Sequence, residues 1–396
     1  MLMSCTAEAA DTEGTARPKA PHAPAGRDCK LMGWTAPAAA SRCQDEVVDR
    51  ELIKGEPSME QLTTIGLDLA KNVFQVHGVD AAGRVLVRKQ LRRAEVLRFF
   101  AALPPCVVGM EACGTAHHWA RELTRLGHTV RLMPPAYVKP YVKRGKTDAA
   151  DAAAIAEAVT RPTMRFVPVK TVEQQSVLML HKVRELFVRQ RTMLINALRG
   201  HLAEFGIIAA RGPGGVTAAI TALHEAQDGL PALARQVLHG LIAQMRLIGA
   251  EITKADKQIM AWHRASAASQ RLATIPGIGP ITASAIAAAV PDATLFRSGR
   301  QFAAWLGLTP RAHSSGGKQR LGGISKQGDG YIRRLLVIGA TAVIRRARQD
   351  NANKSWAARL LVRKPARLVS VALANKTARI AWAVLARNQS YTAPAM

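Results

Sequence analysis

From Ser266 to its end this chain has no glutamate and only three aspartates, Asp292, Asp329 and Asp350. A carboxylate cluster therefore cannot come from the last third alone. Cysteine is also scarce. Cys5, Cys29, Cys43, Cys106 and Cys113 are odd in number and fall at no zinc or redox spacing, which argues against a disulfide framework. No apolar run is long and unbroken enough to span a bilayer. The stretch 369–384 is apolar but carries Asn375, Lys376 and Arg379 and reads as a buried helix, so no membrane partner is expected. The N-terminus lacks the apolar core of a signal peptide and carries early acids. A cytoplasmic, nucleoid-associated protein fits these absences.

What is present in excess is positive charge. Lys and Arg number 55 against 28 Asp and Glu, a formal net charge of +27 over 396 residues. Residues 1–58 are slightly acidic, so the surplus lies in the remainder. Such an excess favours a polyanionic partner through counterion release, and DNA is the expected one. A merely soluble basic protein is the plainer alternative.

The length allows two or three domains. Residues 1–58 are rich in Ala, Pro, Gly and small polar residues without periodicity and read as a disordered leader. Met59 stands just before the first strand, so it is a candidate for the true start. Residues 60–165 read as a nuclease-like α/β domain. Runs 63–69, 73–79 and 85–91 are β-rich and joined by short turns, giving a three-strand meander. A helix near 94–102, a buried apolar strand at 106–110, a helix near 116–126, a strand at 129–133 and helical segments to 159 follow. This is the order of an RNase H-like domain. Residues 170–265 read as a helical arm, with helices at 172–205 and 233–259. In the second, Leu238, Leu241, Met245, Ile248, Ile252, Ala255 and Ile259 recur at heptad spacing. Arg211 to Gly215 reads as a flexible joint between them. The arm is either an antiparallel coiled coil, suited to dimerisation, or a pair packed on the chain's own domains. Residues 266–390 read as a compact, Ala-rich helical domain. The fold class is thus α/β plus all-α.

Four acids stand out. Asp68 lies within an apolar strand, where a carboxylate is costly unless its charge is compensated. Glu111 ends the apolar run 106–110. Asp148 and Asp151 are three apart and share a helix face, with Thr147 or Asp148 as the alternative N-cap. In an RNase H-like topology the first strand, the fourth strand and a later helix meet at one sheet edge. Four carboxylates gathered there require a cation, and hard divalent ions, Mg²⁺ or Mn²⁺, prefer oxygen ligands. Two such ions would suit phosphodiester cleavage. Each acid alone is weak evidence, since an isolated Asp-x-x-Asp is usually a solvated or capping pair.

In the last third, Ile275-Pro276-Gly277-Ile278-Gly279-Pro280 before an apolar helix resembles a helix–hairpin–helix loop. Gly277 and Gly279 would let the backbone approach a phosphate. The alternative is a tight turn between packed helices. Residues 307–318 are polar and Gly-rich, and Arg311, Lys318, Arg320 and Lys326 supply cations for DNA. A serine in such a loop can attack a phosphate, although composition alone favours an ordinary Ser/Gly turn.

These same residues carry a resemblance. Residues 64–71, 110–115, 146–152, 275–279 and 302–311 resemble the DEDD transposases of the insertion-sequence one-ten family, in the family's order, over residues 63–388. The resemblance implies a RuvC-like domain, a coiled-coil arm and a C-terminal transposase domain. It implies that Asp68, Glu111, Asp148 and Asp151 are the metal ligands and that Ser315 is the nucleophile forming a phosphoserine intermediate. Ser314 is adjacent, and a one-residue slip would exchange the two. A structured guide RNA, action as a homo-oligomer and DNA ends and target as substrates are further implications. Two rivals remain: a metal-dependent junction nuclease using the acids alone, and a non-catalytic nucleic-acid-binding protein. His117 and His118 match no ligand role and are expected at surface or capping positions.

Overall fold

A computed structural model describes residues 61–393 apart from 144, 146, 211, 226–228 and 350–355; the leader 1–58 and Met59 lie outside this range. The first part is a five-stranded sheet in the order β3-β2-β1-β4-β5. Its strands are β1 (Thr64–Asp68), β2 (Val73–Val79), β3 (Val85–Arg92), β4 (Val107–Glu111) and β5 (Thr129–Met133). β1, β2 and β3 form the antiparallel meander; β4 then runs parallel to β1, and β5 parallel to β4.

Alternation along β1 and β4 decides what each sheet face does. Ile65, Leu67, Val108 and Met110 are fully buried in one cluster with Phe100 of helix α1 (Val96–Ala101) and Trp119, Ala120 and Leu123 of α2 (Ala116–Arg125). Phe74 meets Trp119 edge-on, with ring centroids 5.0 Å apart. Each such large side chain contributes roughly 1.5–3 kcal/mol by leaving water. The opposite face takes α4 (Asp148–Val159), which follows the single-turn α3 (Pro135–Val138). Ala154, Ile155, Ala158 and Val159 of α4 pack with Met133 and Val138.

The helix–sheet contact is close because two strand residues lack side chains. A Cβ at Gly66 would stand 2.5 Å from the Ala156 nitrogen and overlap the Ala152 carbonyl oxygen. At Gly109 it would stand 2.8 Å from Val159 Cβ. Gly66 therefore faces the middle of α4, and Asp68, two residues on, points along the same face towards the helix N-terminus.

Two long helices follow, α5 (Val172–Ala203) and α7 (Ala232–Ala265), with α6 (Pro213–Glu225) between them. The segment expected to be a flexible joint thus begins a helix. Glu173 accepts a hydrogen bond from Trp262 Nε1, Arg184 pairs with Asp256, and Leu198 and Leu202 pack with Leu238 and Ile242. Later residues of α5 meet earlier residues of α7, so the pair is antiparallel. Both helices also pack on α9 (Pro280–Ala289) of the last region.

The last region comprises α8 (Ala267–Ala273), α9 (Pro280–Ala289), α10 (Gly299–Trp305), α11 (Gly330–Gln349), α12 (Trp356–Leu361) and α13 (Ala366–Arg387). Its core is built from small residues, with Ala283, Ala285, Ala374, Ala378 and Ala381 nearly inaccessible beside Phe302, Ile332 and Leu336. α13 is long and apolar enough to cross a membrane by length and composition; its Ala374, Ala378, Ala381 and Val384 are buried in this core. Between α10 and α11 stands a two-stranded hairpin, β6 (Pro310–Ala312) and β7 (Leu321–Ile324), where the sequence suggested only a polar loop.

Candidate active site

Asp68 and Glu111 end adjacent parallel strands, one step beyond the paired Leu67 and Met110. α4 supplies the other two acids from its first turn. Thr147, not Asp148, is the N-cap, its hydroxyl accepting from the Ala150 backbone N–H at 3.2 Å. The positive end of the helix dipole lies where the carboxylates of Asp148 and Asp151 sit and offsets part of their repulsion.

Carboxylate oxygens of Asp68, Asp148 and Asp151 all lie within 4.8 Å of one another. Glu111 stands at the neighbouring strand end but outside this close group. Asp68 and Asp151 are half-buried, and Asp148 is exposed, so the group opens to solvent on one side. Three negative oxygens at this spacing repel one another unless a cation separates them. Around an octahedral Mg²⁺, with bonds of about 2.0–2.1 Å, ligand oxygens are roughly 3–4 Å apart. The all-oxygen donor set and its spread fit such an ion, and Asp68, Asp148 and Asp151 are the residues able to hold it.

The serines lie on the β6–β7 hairpin. Ser315 and Lys318 flank a two-residue turn, closed by the Lys318 N–H donating to the Ser315 carbonyl at 3.1 Å. Both central residues are left-handed, Gly316 at φ 55° and Gly317 at φ 76°, as a type I′ turn requires. The Ser314 hydroxyl is engaged, accepting from the Arg320 backbone N–H at 3.2 Å. The Ser315 side chain makes no hydrogen bond among the described residues, and it is exposed. Arg311, Lys318 and Arg320 are exposed along the same hairpin, and Lys326 just beyond it. The hairpin's base is fixed: Arg311 donates to the Ser325 carbonyl, Arg333 to those of Leu306 and Gln327, and Asn375 to that of Leu308.

The glycine loop before α9 divides its residues between two tasks. Gly277, at φ 87°, faces α11, where a Cβ would meet Gly339 and Val343 at 3.0–3.2 Å. Gly279 is exposed and caps α9, with Pro280 in its first turn.

Two sequence-family models match this chain. One, described as a transposase and built on the DEDD domain of IS110, covers residues 65–207; the other, described as "Transposase IS116/IS110/IS902 family", covers residues 269–357. The chain is 55% identical over 333 residues to the "Probable family 20 transposase" of Pseudomonas aeruginosa, spanning 83% of this chain and 98% of that protein. It is 41% identical over 340 residues to the "Transposase for insertion sequence element IS1111A" of Coxiella burnetii, spanning 85% and 93%.

The chain belongs to the IS110 family of transposases. It is accordingly an enzyme that cuts and rejoins DNA. The first match takes in all four acids, and the second takes in the glycine loop and both serines.

Several residues of the transposase carry structure that sequence reasoning did not assign. His117 was expected at a surface or capping position. Instead its Nδ1 accepts from the Lys170 backbone N–H at 3.2 Å, and Arg121 donates to the Lys170 carbonyl at 2.7 Å. This pins the segment between α4 and α5 to α2. Burial, with Lys170 and Arg121 nearby, lowers the His117 pKa to about 4. His118 is more exposed, 3.8 Å from Glu122. His181 of α5 is buried between Ser284 of α9, at 3.1 Å, and Tyr331 of α11, at 3.0 Å. Ser284 Oγ donates to the Pro280 carbonyl, so it accepts from His181 Nε2–H, and Nδ1 accepts from the Tyr331 hydroxyl. Burial lowers the His181 pKa to about 4 and raises that of Tyr331 to about 12. Cys106 and His128 form a buried pair, and burial raises the thiol to about 11.

Proposed function

We propose that this transposase breaks and rejoins strands through two chemical centres, the acid group on the sheet and Ser315 on the hairpin. Ser315 Oγ forms a bond to a DNA phosphorus as the bond from that phosphorus to a sugar oxygen breaks, leaving a phosphoserine and a free strand hydroxyl. A second strand hydroxyl then displaces the serine, which regains its proton, and the strands are exchanged. Divalent ions, when bound, would stabilise charge on the phosphate oxygens. Asp68, Asp148 and Asp151 would hold them, with Glu111, at the neighbouring strand end, as the fourth ligand. Arg311, Lys318 and Arg320 neutralise the phosphates beside the serine. Gly279, the exposed N-cap of α9, holds DNA backbone in the manner of a helix–hairpin–helix, with Gly277 packing the loop on α11 and Lys326 adding charge.

The observation that carries the reading is the contrast between neighbours. Ser314 is bonded into the hairpin, whereas Ser315 presents its hydroxyl at an exposed, cation-flanked turn. The basic surplus supports a structured RNA partner besides DNA, and the α5–α7 pair supports an arm through which copies associate.

The test incubates the protein with element-end DNA, the flanking transcript and Mg²⁺. The expected result is a denaturation-resistant protein–DNA adduct that vanishes in Ser315→Ala and persists in Ser314→Ala. Cleavage that survives Ser315→Ala would make the protein a nuclease using the acids alone. Salt-sensitive binding with no cleavage, unchanged in Asp68→Ala, would make it a binder only.

A further inference from the structure

A groove of about 970 Å³ lies in the last region, away from both the acid group and the turn at Ser315. One wall is the base of the β6–β7 hairpin, at Pro310 and Gly322 to Ile324; the others come from the start of α10, the start of α12 and one side of α13. At the upper end of the usual ligand-site range, the volume exceeds what one small metabolite needs.

Its chemistry is specific. The surface is apolar, with Leu368 about half exposed and Trp356 37% exposed. Aromatic residues are only 5% of the chain, yet two of its six tryptophans, Trp356 and Trp382, line this groove. Trp382 is fixed in place, its Nε1 donating to the Ala293 carbonyl at 3.0 Å. Lys376 holds its ammonium 4.9 Å from the centre of the Trp356 ring. Arg300 and Arg379 add two exposed cations, and no Asp or Glu is among the described residues lining the groove. Aromatic side chains with one cation over a ring, two more beside them and no acid suit a ligand with planar rings joined by negative charges.

We propose that this groove holds unpaired nucleotides of a nucleic-acid strand, with bases against Trp356 and Trp382 and phosphates on Arg300, Lys376 and Arg379. Stacking of this kind tolerates any base and adds to the backbone attraction, whereas a stacked duplex has no free base faces to offer. Because the hairpin base forms one wall, a strand in the groove lies beside the support of Ser315. The inference does not depend on the serine chemistry, since binding is read without cleavage.

The full chain is titrated with fluorescent oligo-dT, oligo-U and a mixed-sequence duplex, without divalent metal. Trp356→Ala and Lys376→Ala are each expected to weaken single-strand binding about tenfold while leaving duplex binding and the melting temperature unchanged. The dT and U arms tell whether a DNA or an RNA strand is preferred. With the unaltered chain, 5-bromouracil-substituted oligonucleotide is expected to cross-link to peptides containing Trp356 or Trp382. Equal losses for duplex and single strand, or cross-links confined to other peptides, would overturn the proposal. So would a changed oligomeric state in Trp356→Ala with strand binding intact, which would make the groove a contact between protein copies.

Discussion

The absent side chain of Gly66 lets Ala152 come down onto β1, and this sets the height at which Asp68 meets the acids of α4. A Cβ there would overlap the Ala152 carbonyl oxygen and lie 2.5 Å from the Ala156 nitrogen, both backbone atoms that cannot turn aside. Gly66→Ala is therefore expected to push α4 off the sheet, at a cost of about 1–3 kcal/mol or somewhat more. A lower melting temperature and loss of DNA cleavage are expected together. Gly83→Ala is a control, because its Cβ meets nothing within 4 Å and only its φ of 80° is strained; it should lower stability modestly and leave cleavage intact.

Acidification should destabilise the fold through histidines whose pKa values are lowered by desolvation. His117 and His181 have pKa values lowered from 6.5 to about 4. Between about pH 6.5 and 4 the unfolded chain takes up protons that the folded chain refuses. Stability therefore falls as pH falls through that window, by up to about 1.4 kcal/mol per pH unit for His181 and by less for the more exposed His117. Denaturant titrations of the wild type and His181→Gln should show a shallower slope in the variant, which has no proton to gain there. Equal slopes would contradict the assignment of His181 as neutral and buried.

The turn that presents Ser315 needs positive φ at two successive positions, where a β-branched residue pays a steric penalty and asparagine far less. Gly317→Val is expected to reduce adduct formation at least tenfold while DNA binding stays within about twofold, and Gly317→Asn should retain most activity. Gel quantitation of the adduct beside a binding titration checks this.

Much of the fold is legible in the sequence because burial is one-sided. The five strands of the sheet follow the runs expected from alternation and apolar content, and helices α2, α4 and α5 end close to where they are expected, whereas α7 runs on to Ala265, past its expected end at 259. Glu111 is visible as an acid ending an apolar strand, and Asp148 and Asp151 as a pair on one helix face, whereas Asp68, expected within its strand, is the residue that ends it. The hairpin at residues 310–324 is not legible, since its strands are exposed on both sides and show no alternation. The roles of Gly66 and Gly109 are equally hidden. A glycine inside a strand signals close approach, but only the fold says what approaches. His117 and His181 take their partners from 53 and 150 residues away, a separation no local pattern records.

The central claim is that Asp68, Asp148 and Asp151 form a metal centre. Anomalous diffraction from crystals of the protein soaked in Mn²⁺ tests it most directly. The account requires a peak bonded to carboxylate oxygens of all three residues, absent in Asp151→Asn crystals treated alike. Density with no peak at that group, or manganese bound only elsewhere, would contradict it.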